Sequence, residues 1–264
     1  LLGIVSNDIK KIIAYSTLSQ LGYMVCALGA SAYAFGMFHL MTHAFFKALL
    51  FLGAGSVIIA MHHEQDVRKM GGLRQFLPIT YVTSLVGSLA LVAFPPLSGF
   101  FSKDAIITAV AHSPLASATY AEISLTLGAF VTALYTFRAF FLTFHGKRRS
   151  NIDVSEPSWV VWGPLVILAI PSCVLGYYLA PHLLGRSAWF IDDFVQNSWV
   201  FSVNRVLMEA QLRPFEGMLE WPFFMTVLGI IAAYLAYIRY PRWPEICQNR
   251  AQRLYKVLLC HYGF

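Results

Sequence analysis

Long apolar runs separated by short polar stretches dominate this chain, and they predict six segments that cross a membrane. A crossing helix needs about 20 predominantly apolar residues. The runs that meet this length are segment A at about 10–30, B at 34–61, C at 76–110, D at 121–144, E at 159–180 and F at 221–239. The pattern therefore predicts an all-α fold, a polytopic transmembrane helix bundle.

Segment C is too long for one straight crossing, since about 35 helical residues would span roughly 52 Å. It contains Phe94-Pro95-Pro96-Leu97-Ser98-Gly99, which an unbroken helix would not accommodate. Segment C is therefore either one crossing by a broken helix or two crossings. With one crossing, the basic residues of 68–74, 147–149 and 242–256 all fall on one side, and the A–B and C–D loops carry none. This asymmetry favours the broken single crossing and places the basic side in the cytoplasm or an organellar matrix.

Composition supports a membrane protein, because 58% of the residues are hydrophobic and only 12% are charged. The net charge of +6 could suit nucleic acid, but the basic residues are spread between apolar runs, as the positive-inside rule expects. The four cysteines form no CxxC pair, and no GxGxxG or P-loop is present, so we expect no metal, nucleotide or other cofactor in this chain. The apolar start without a methionine predicts an internal piece of a longer protein.

Segment B carries three titratable residues, His39, His43 and Lys47, that recur every fourth residue and so lie along one stripe of a helix. A charge at mid-bilayer costs about 2.5–3.5 kcal/mol on insertion scales, so such residues usually line a polar path. Neutral imidazole accepts on one nitrogen and donates from the other, which suits a proton relay. The alternatives are a metal site, for which a third ligand is missing, and core histidines bonded across helices.

Lys103 follows the break in segment C and so lies near the centre of the bilayer. Helix breaks in transporters mark ion sites, and both burial and a nearby helix end favour release of a proton from such a lysine. The alternative is a structural pair with Asp104, although adjacent helix residues point about 100° apart. Lys10, at the start of segment A, is either a relay residue or a lysine that snorkels to the interface. For Arg138 we favour snorkelling or a structural role.

Between segments E and F, about 40 residues carry two tryptophans, Trp189 and Trp199, and the acidic pair Asp192 and Asp193. Tryptophan is enriched at the membrane–water interface. We therefore predict an interfacial loop with short helices on the side opposite the basic loops.

Three runs of the sequence, 8–24, 38–47 and 99–104, resemble the antiporter-like membrane subunits of respiratory complex I, an inverted-repeat family. The loop His63-Glu64-Gln65-Asp66-Val67-Arg68-Lys69-Met70-Gly71-Gly72-Leu73 is most similar to the subunit L branch, whose mitochondrial counterpart is NADH dehydrogenase subunit 5. The resemblance covers nearly all of residues 1–260. It is most specific up to about Lys147.

The resemblance implies a proton-translocating subunit of NADH:quinone oxidoreductase. It implies most of the second antiporter-like repeat over 1–146, two additional transmembrane helices with the interfacial loop over 147–240, and the start of a cytoplasmic-side segment over 241–264. The first repeat would precede Leu1, and a lateral helix and last crossing would follow Phe264. The relay residues that it implies are Lys10, His39, His43, Lys47 and Lys103.

In that family NADH, FMN, iron–sulfur clusters and quinone are bound by other subunits, so the resemblance implies no cofactor here. The implied partners are other complex I membrane subunits, above all the adjacent antiporter-like subunit, and the lipid bilayer. The implied location is the bacterial inner membrane or, alternatively, the mitochondrial inner membrane. Three rivals remain: the large subunit of a multi-subunit cation/proton antiporter, a membrane subunit of a hydrogenase complex, and a structural subunit that does not pump.

Overall fold

The computed structural model describes residues 1–184 and 220–259, which form helices joined by short connections. Within these residues the extended pairing is limited to an isolated antiparallel bridge between Asp8 and Asp66. The helices are α1 Leu2–Val5, α2 Ile9–Gly29, α3 Tyr33–Ala60, α4 Pro78–Leu91, α5 Ser98–Ala111, α6 Ala118–Phe144, α7 Trp159–Leu184, α8 Trp221–Tyr234, α9 Trp243–Arg250 and α10 Gln252–Leu259. A short 3-10 helix, Leu73–Gln75, precedes α4, and a π-helical turn, Leu235–Arg239, extends α8.

The transmembrane bundle predicted from the sequence is confirmed. Among the described residues, five helices are long and apolar enough to cross a membrane: α2, α3, α6, the Trp159–Leu179 part of α7, and α8 with its π-helical turn. They correspond to segments A, B, D, E and F. The predicted interfacial loop with Trp189, Trp199, Asp192 and Asp193 lies outside the described residues.

Segment C is a broken helix, as predicted, with α4 before the break and α5 after it. A break in a membrane helix frees backbone groups that lipid cannot satisfy. Here the Thr226 hydroxyl of α8 donates a 3.1 Å hydrogen bond to the Val92 carbonyl, which lies just beyond the last turn of α4. The two half-helices approach so closely that a Cβ on Gly99 would lie 1.8 Å from the Ala90 carbonyl oxygen. Glycine at position 99 is therefore required by this crossing.

The start of α4 is capped by a residue from a distant loop. Leu77 at the N-cap position cannot satisfy the free amides of the first turn, and its side chain makes no capping bond. The Glu156 carboxylate instead accepts hydrogen bonds from the amides of Ile79 at 3.0 Å and Thr80 at 3.2 Å, and from the Thr80 hydroxyl. The connection between α6 and α7 thus fixes the first half of the broken helix.

The two basic loops, which contain residues 68–74 and 147–149, contact each other, so they lie at the same end of the bundle. The Arg149 guanidinium donates to the Arg68 carbonyl at 3.3 Å, and the Gly72 amide donates to the His145 carbonyl at 3.1 Å. This is the arrangement that a single crossing of segment C requires. In the same loop, the Arg68 guanidinium holds the pKa of the partly buried Asp66 carboxyl below its usual range. We refer to this end of the molecule as the basic end.

Candidate functional site

Polar side chains from α2, α3 and α5 meet inside the apolar bundle around His39, whose side chain is fully buried. Its Nε2 lies 2.9 Å from Gln20 Oε1 on α2, and its Nδ1 lies 2.8 Å from Ser102 Oγ on α5. A further 2.9 Å contact joins Ser102 Oγ to the Thr42 hydroxyl on α3. A continuous hydrogen-bonded chain, Gln20–His39–Ser102–Thr42, therefore crosses three helices.

The direction of this chain follows from its donors and acceptors. An amide oxygen only accepts, so His39 Nε2 carries the hydrogen that is donated to Gln20 Oε1. Neutral His39 then accepts at Nδ1 from the Ser102 hydroxyl, and Ser102 Oγ accepts from Thr42. The Gln20 amide nitrogen is buried and has no hydrogen-bond partner among the described residues. A half-turn of this amide would offer a donor to the ring and reverse every bond of the chain.

His43 lies one turn beyond His39 on α3 and is also buried. The His39 and His43 ring centroids are 6.0 Å apart, and the His43 and Phe46 rings form a T-shaped pair with their centroids 5.4 Å apart. His43 Nε2 is buried with no hydrogen-bond partner in the part of the chain that the structure describes. The stripe predicted from the fourth-residue spacing is present, and His43 has a nitrogen free to bond to water or a proton.

Lys47 completes the stripe and turns toward α2. Its side chain is 5% exposed, and its amine donates to the Ser16 hydroxyl and to the Ile13 carbonyl at 3.3 Å. Ser16 itself donates to the same carbonyl at 2.7 Å. Among the described residues, this amine therefore donates to neutral oxygens.

Lys103 lies in the second turn of α5, and its side chain is 1% exposed. Its amine sits 4.7 Å above the centre of the Tyr23 ring and has no hydrogen-bond partner among residues 1–184 and 220–259. The alternative pair with Asp104 is not formed: within those residues the ion pairs are Arg68–Asp66 and Lys69–Glu64, both in the α3–α4 loop. Lys103 is thus a buried amine stabilised mainly by the face of a tyrosine.

Lys10 is the predicted site residue that the structure does not bring to this group. It lies in the first turn of α2 with its side chain exposed, whereas the face of α2 that points inward carries Ser16 and Gln20. Its relay role stays a prediction. Arg138 donates from its guanidinium to the Ser6 carbonyl at 2.6 Å and to Asn7 Oδ1 at 2.7 Å. These contacts anchor the connection between α1 and α2 and support the structural role favoured for Arg138.

A metal site at His39 and His43 would need a third ligand close to them. Within the described residues, no cluster of three or more His, Cys, Asp or Glu side chains could hold a metal ion.

Four uncharged hydrogen-bonding residues of this site were not anticipated from the sequence: Ser16, Gln20, Thr42 and Ser102. A usable signal was available for two of them, because Ser16 and Gln20 are polar residues one turn apart in an apolar helix.

Comparison with known proteins places this arrangement in a family. Residues 1–130 match the transmembrane family described as NADH:quinone oxidoreductase/Mrp antiporter. The chain is 42% identical over 268 residues to NADH-quinone oxidoreductase subunit L of Neisseria meningitidis (strain Z2491), covering 92% of this chain and 40% of that protein. The chain belongs to the antiporter-like membrane subunits of this family.

A second relative and a solved structure are also similar to this chain. NADH-ubiquinone oxidoreductase chain 5 of Cryphonectria parasitica is 43% identical over 244 residues, which cover 89% of this chain and 36% of that protein. The fold is similar to that of the Mrp complex from Dietzia sp. DQ12-45-1b, with a TM-score of 0.62 at 20% identity, over 77% of this chain and 46% of that one. The resemblance to subunit L and chain 5 is confirmed. The chain spans about 40% of the length of these curated relatives.

Proposed function

We propose that this chain forms the proton-translocating part of a membrane subunit of NADH:quinone oxidoreductase, and that His39, His43, Lys47 and Lys103 pass protons along the bundle. The observation that carries the proposal is that Lys47 and Lys103 are buried without a carboxylate partner among the described residues. A buried cation with no counter-ion is costly and contributes little to stability. A lysine in such a place is better suited to loading and releasing a proton.

His39 is the side chain best placed to join the two lysines, since it lies about two turns before Lys47 on α3 and contacts Ser102, the residue before Lys103 on α5. In the resting arrangement its Nε2–H points to Gln20, and its Nδ1 accepts from Ser102. A proton that arrives at Nδ1 forms the imidazolium, which then releases the Nε2 proton toward α2. After the transfer His39 carries its hydrogen on Nδ1, and the half-turn of the Gln20 amide described above gives the bare Nε2 a donor, which leaves every bond of the chain reversed. The ring and the amide must return to the resting arrangement before the next transfer.

Other proposed steps use residues at the edges of this group. Lys103 would exchange protons with the side of the bundle opposite the basic end, where Asp104 lies within electrostatic reach of Glu220. Lys10 would join the relay only where a neighbouring subunit covers its exposed face. Electron transfer, NADH, FMN, iron–sulfur clusters and quinone would belong to other subunits of the complex.

The setting is an integral membrane protein within a multi-subunit assembly, as the relatives' names and the apolar helices indicate. We further propose that the adjacent partner is another antiporter-like subunit and that the membrane is the bacterial inner membrane. The exposed apolar side chains of α2, including Leu18 and Val25, suit contact with lipid or with such a partner.

Purification of the full-length protein from its native membrane tests this assignment. We expect NADH:quinone oxidoreductase subunits to co-purify, and inside-out vesicles to acidify on addition of NADH. A strain that lacks the gene should lose this acidification. Exchange of sodium for protons without NADH would instead favour the cation/proton antiporter. Co-purification of a nickel–iron hydrogenase would favour the membrane subunit of a hydrogenase complex.

A further inference from the structure

The aromatic ring beneath the Lys103 amine belongs to Tyr23 of α2, a residue to which the relay described above gives no role. Tyr23 is buried in an apolar cluster that also contains Phe100, Phe101 and Ile106 of α5. The face of an aromatic ring carries negative charge density and attracts a cation that lies within about 6 Å of the ring centre. The Lys103 amine lies 4.7 Å from that centre. Tyr23 is therefore placed to act on the charged form of Lys103.

Few other groups near Lys103 can stabilise a positive charge on its amine. Among the described residues the amine has no hydrogen-bond partner, and the neighbouring Asp104 forms no ion pair with it. A cavity lined by both residues has about 10 Å³ open to the centres of water molecules, which is barely room for one water. A poorly hydrated ammonium gains more from an aromatic face than an exposed one does. The ring thus favours the charged amine, whereas the neutral amine gains little from it.

The Tyr23 ring is held in place from α6. Its hydroxyl donates a hydrogen bond to the Leu125 carbonyl. The hydroxyl also lies against Gly128, where an added Cβ would come within 2.8 Å of the Tyr23 oxygen. Because the ring is rigid and buried, a methyl group at position 128 would displace it relative to Lys103. The contact between α2 and α6 therefore sets the position of the ring beneath the amine of α5.

We propose that Tyr23 is a positioning residue of the relay, whose ring holds the charged Lys103 amine in place and makes its proton-loaded state accessible. The role in pumping rests on the proposed function, whereas the contact between the amine and the ring does not. When Lys103 takes up a proton, the ammonium is attracted to the ring face, and when it releases the proton this attraction is lost. Tyr23 exchanges no proton itself, because its hydroxyl hydrogen stays directed at the Leu125 carbonyl.

The first test changes the charge density of the ring while nearly preserving its shape. Tyr23→Phe keeps the aromatic face and should retain most of the NADH-driven proton pumping of the complete complex in liposomes. Phenylalanine analogues with one, two or three fluorine atoms, introduced at position 23 by nonsense suppression, withdraw charge density from the face step by step. We expect pumping to slow with each fluorine, to about a tenth or less of the Tyr23→Phe rate with three.

Two controls separate an effect of charge from an effect of packing. The same analogues at Phe35, which is buried in the same cluster and has no cation over its ring among the described residues, should leave pumping unchanged. In a Lys103→Glu background the fluorines at position 23 should not slow pumping, since a carboxylate gains nothing from an electron-rich face. Equal rates throughout the series at position 23, or an equal decline in the Lys103→Glu background, would overturn the inference.

The second test displaces the ring from α6 and then makes room for it again. Gly128→Ala should slow pumping, because the methyl group pushes against the Tyr23 hydroxyl. Addition of Tyr23→Phe removes that hydroxyl, so the double variant should recover the rate of Tyr23→Phe alone. Gly22→Ala, where nothing lies within 4 Å of the new methyl group, is the control. A Gly128→Ala complex that pumps like this control, or a double variant no faster than Gly128→Ala, would contradict the positioning role.

Lys103→Ala, measured in the same liposomes, separates a failure of this inference from a failure of the proposed function. Slow pumping in Lys103→Ala together with a flat fluorine series would overturn the role of Tyr23 and leave the proposed function standing. Normal pumping in Lys103→Ala would refute the proposed relay, and the role of Tyr23 with it.

Discussion

The Lys47 amine on α3 donates a hydrogen bond to the Ser16 hydroxyl on α2, and this contact joins the polar stripe of α3 to the neighbouring helix. Both residues are buried in an otherwise apolar contact. A lysine held by neutral oxygens can exist with or without its third amine proton, and the same serine can accept from the ammonium or donate to the amine. This relationship explains how a lysine inside the membrane can be stable and still exchange protons.

Ser16→Ala tests that contact. A hydrogen bond to a charged donor is worth about 1.5–3 kcal/mol, so its loss should lower the rate of NADH-driven proton pumping roughly tenfold or more. Ser16→Thr should retain most of the rate because the hydroxyl is kept. The control is Thr17→Val, since the Thr17 hydroxyl bonds to the Ile13 carbonyl at 3.2 Å, whereas the Lys47 amine donates to the Ser16 hydroxyl and the Ile13 carbonyl. Equal rates in the alanine and control variants would contradict the assigned role.

The two histidines should behave as relay groups. His39→Gln and His43→Gln keep hydrogen bonding but lose titration near neutral pH, so each should slow pumping modestly where water can bridge the gap. The double variant should be clearly slower, because residues 34–46 of α3 then carry no titratable group ahead of Lys47. Proton uptake by vesicles at matched NADH oxidation rates measures this. Wild-type rates in the double variant would remove the histidines from the path.

The metal alternative for the same histidines has its own measurement. We expect purified complex to contain no stoichiometric zinc at His39 and His43, and chelators to leave turnover unchanged. Elemental analysis before and after dialysis against a chelator checks both. Zinc that is lost together with activity, and is absent from the His39→Gln variant, would establish the metal site instead.

Much of the bundle could be predicted from the sequence, because long apolar runs have few alternatives in a membrane. The stripe of His39, His43 and Lys47 also followed from spacing, and the break before Lys103 followed from the length of segment C and its two prolines. The chain of hydrogen bonds did not, since which face of α2 and α5 meets His39 depends on helix packing. The sequence left open whether Lys10 joins the relay or lies at the interface, and it did not indicate that Glu156 would cap a helix 76–77 residues earlier.

Gly99→Ala should destabilise the broken helix. The added methyl group would lie 1.8 Å from the Ala90 carbonyl oxygen, which is fixed backbone, so α4 and α5 would have to move apart. Overpacking of this kind typically costs about 1–3 kcal/mol. We expect less assembled complex on native gels and a lower temperature of thermal inactivation. Gly55→Ala, where nothing lies within 4 Å of the new methyl group, is the control and should assemble normally.

Glu156→Ala should weaken the cap on α4. Loss of a side-chain cap costs about 0.5–2 kcal/mol, so the midpoint of thermal inactivation should fall by a few degrees, at about 2–4 °C per kcal/mol. Glu156→Gln keeps an acceptor oxygen and should lose less. Asp153→Ala, an exposed acidic residue of the same loop, is the control. An inactivation midpoint for Glu156→Ala that matches this control would show that the cap does not hold α4.

The most direct test of the account is the ratio of protons pumped to electrons transferred by the complex with Lys103→Ala, reconstituted into liposomes. The variant should assemble, because removal of a buried cation relieves a desolvation cost. Its ratio should fall sharply, whereas Lys103→Glu, which can also titrate, should retain more pumping, and Lys11→Ala at the exposed start of α2 should match the wild type. A normal ratio in the Lys103→Ala complex would contradict proton transfer through this bundle.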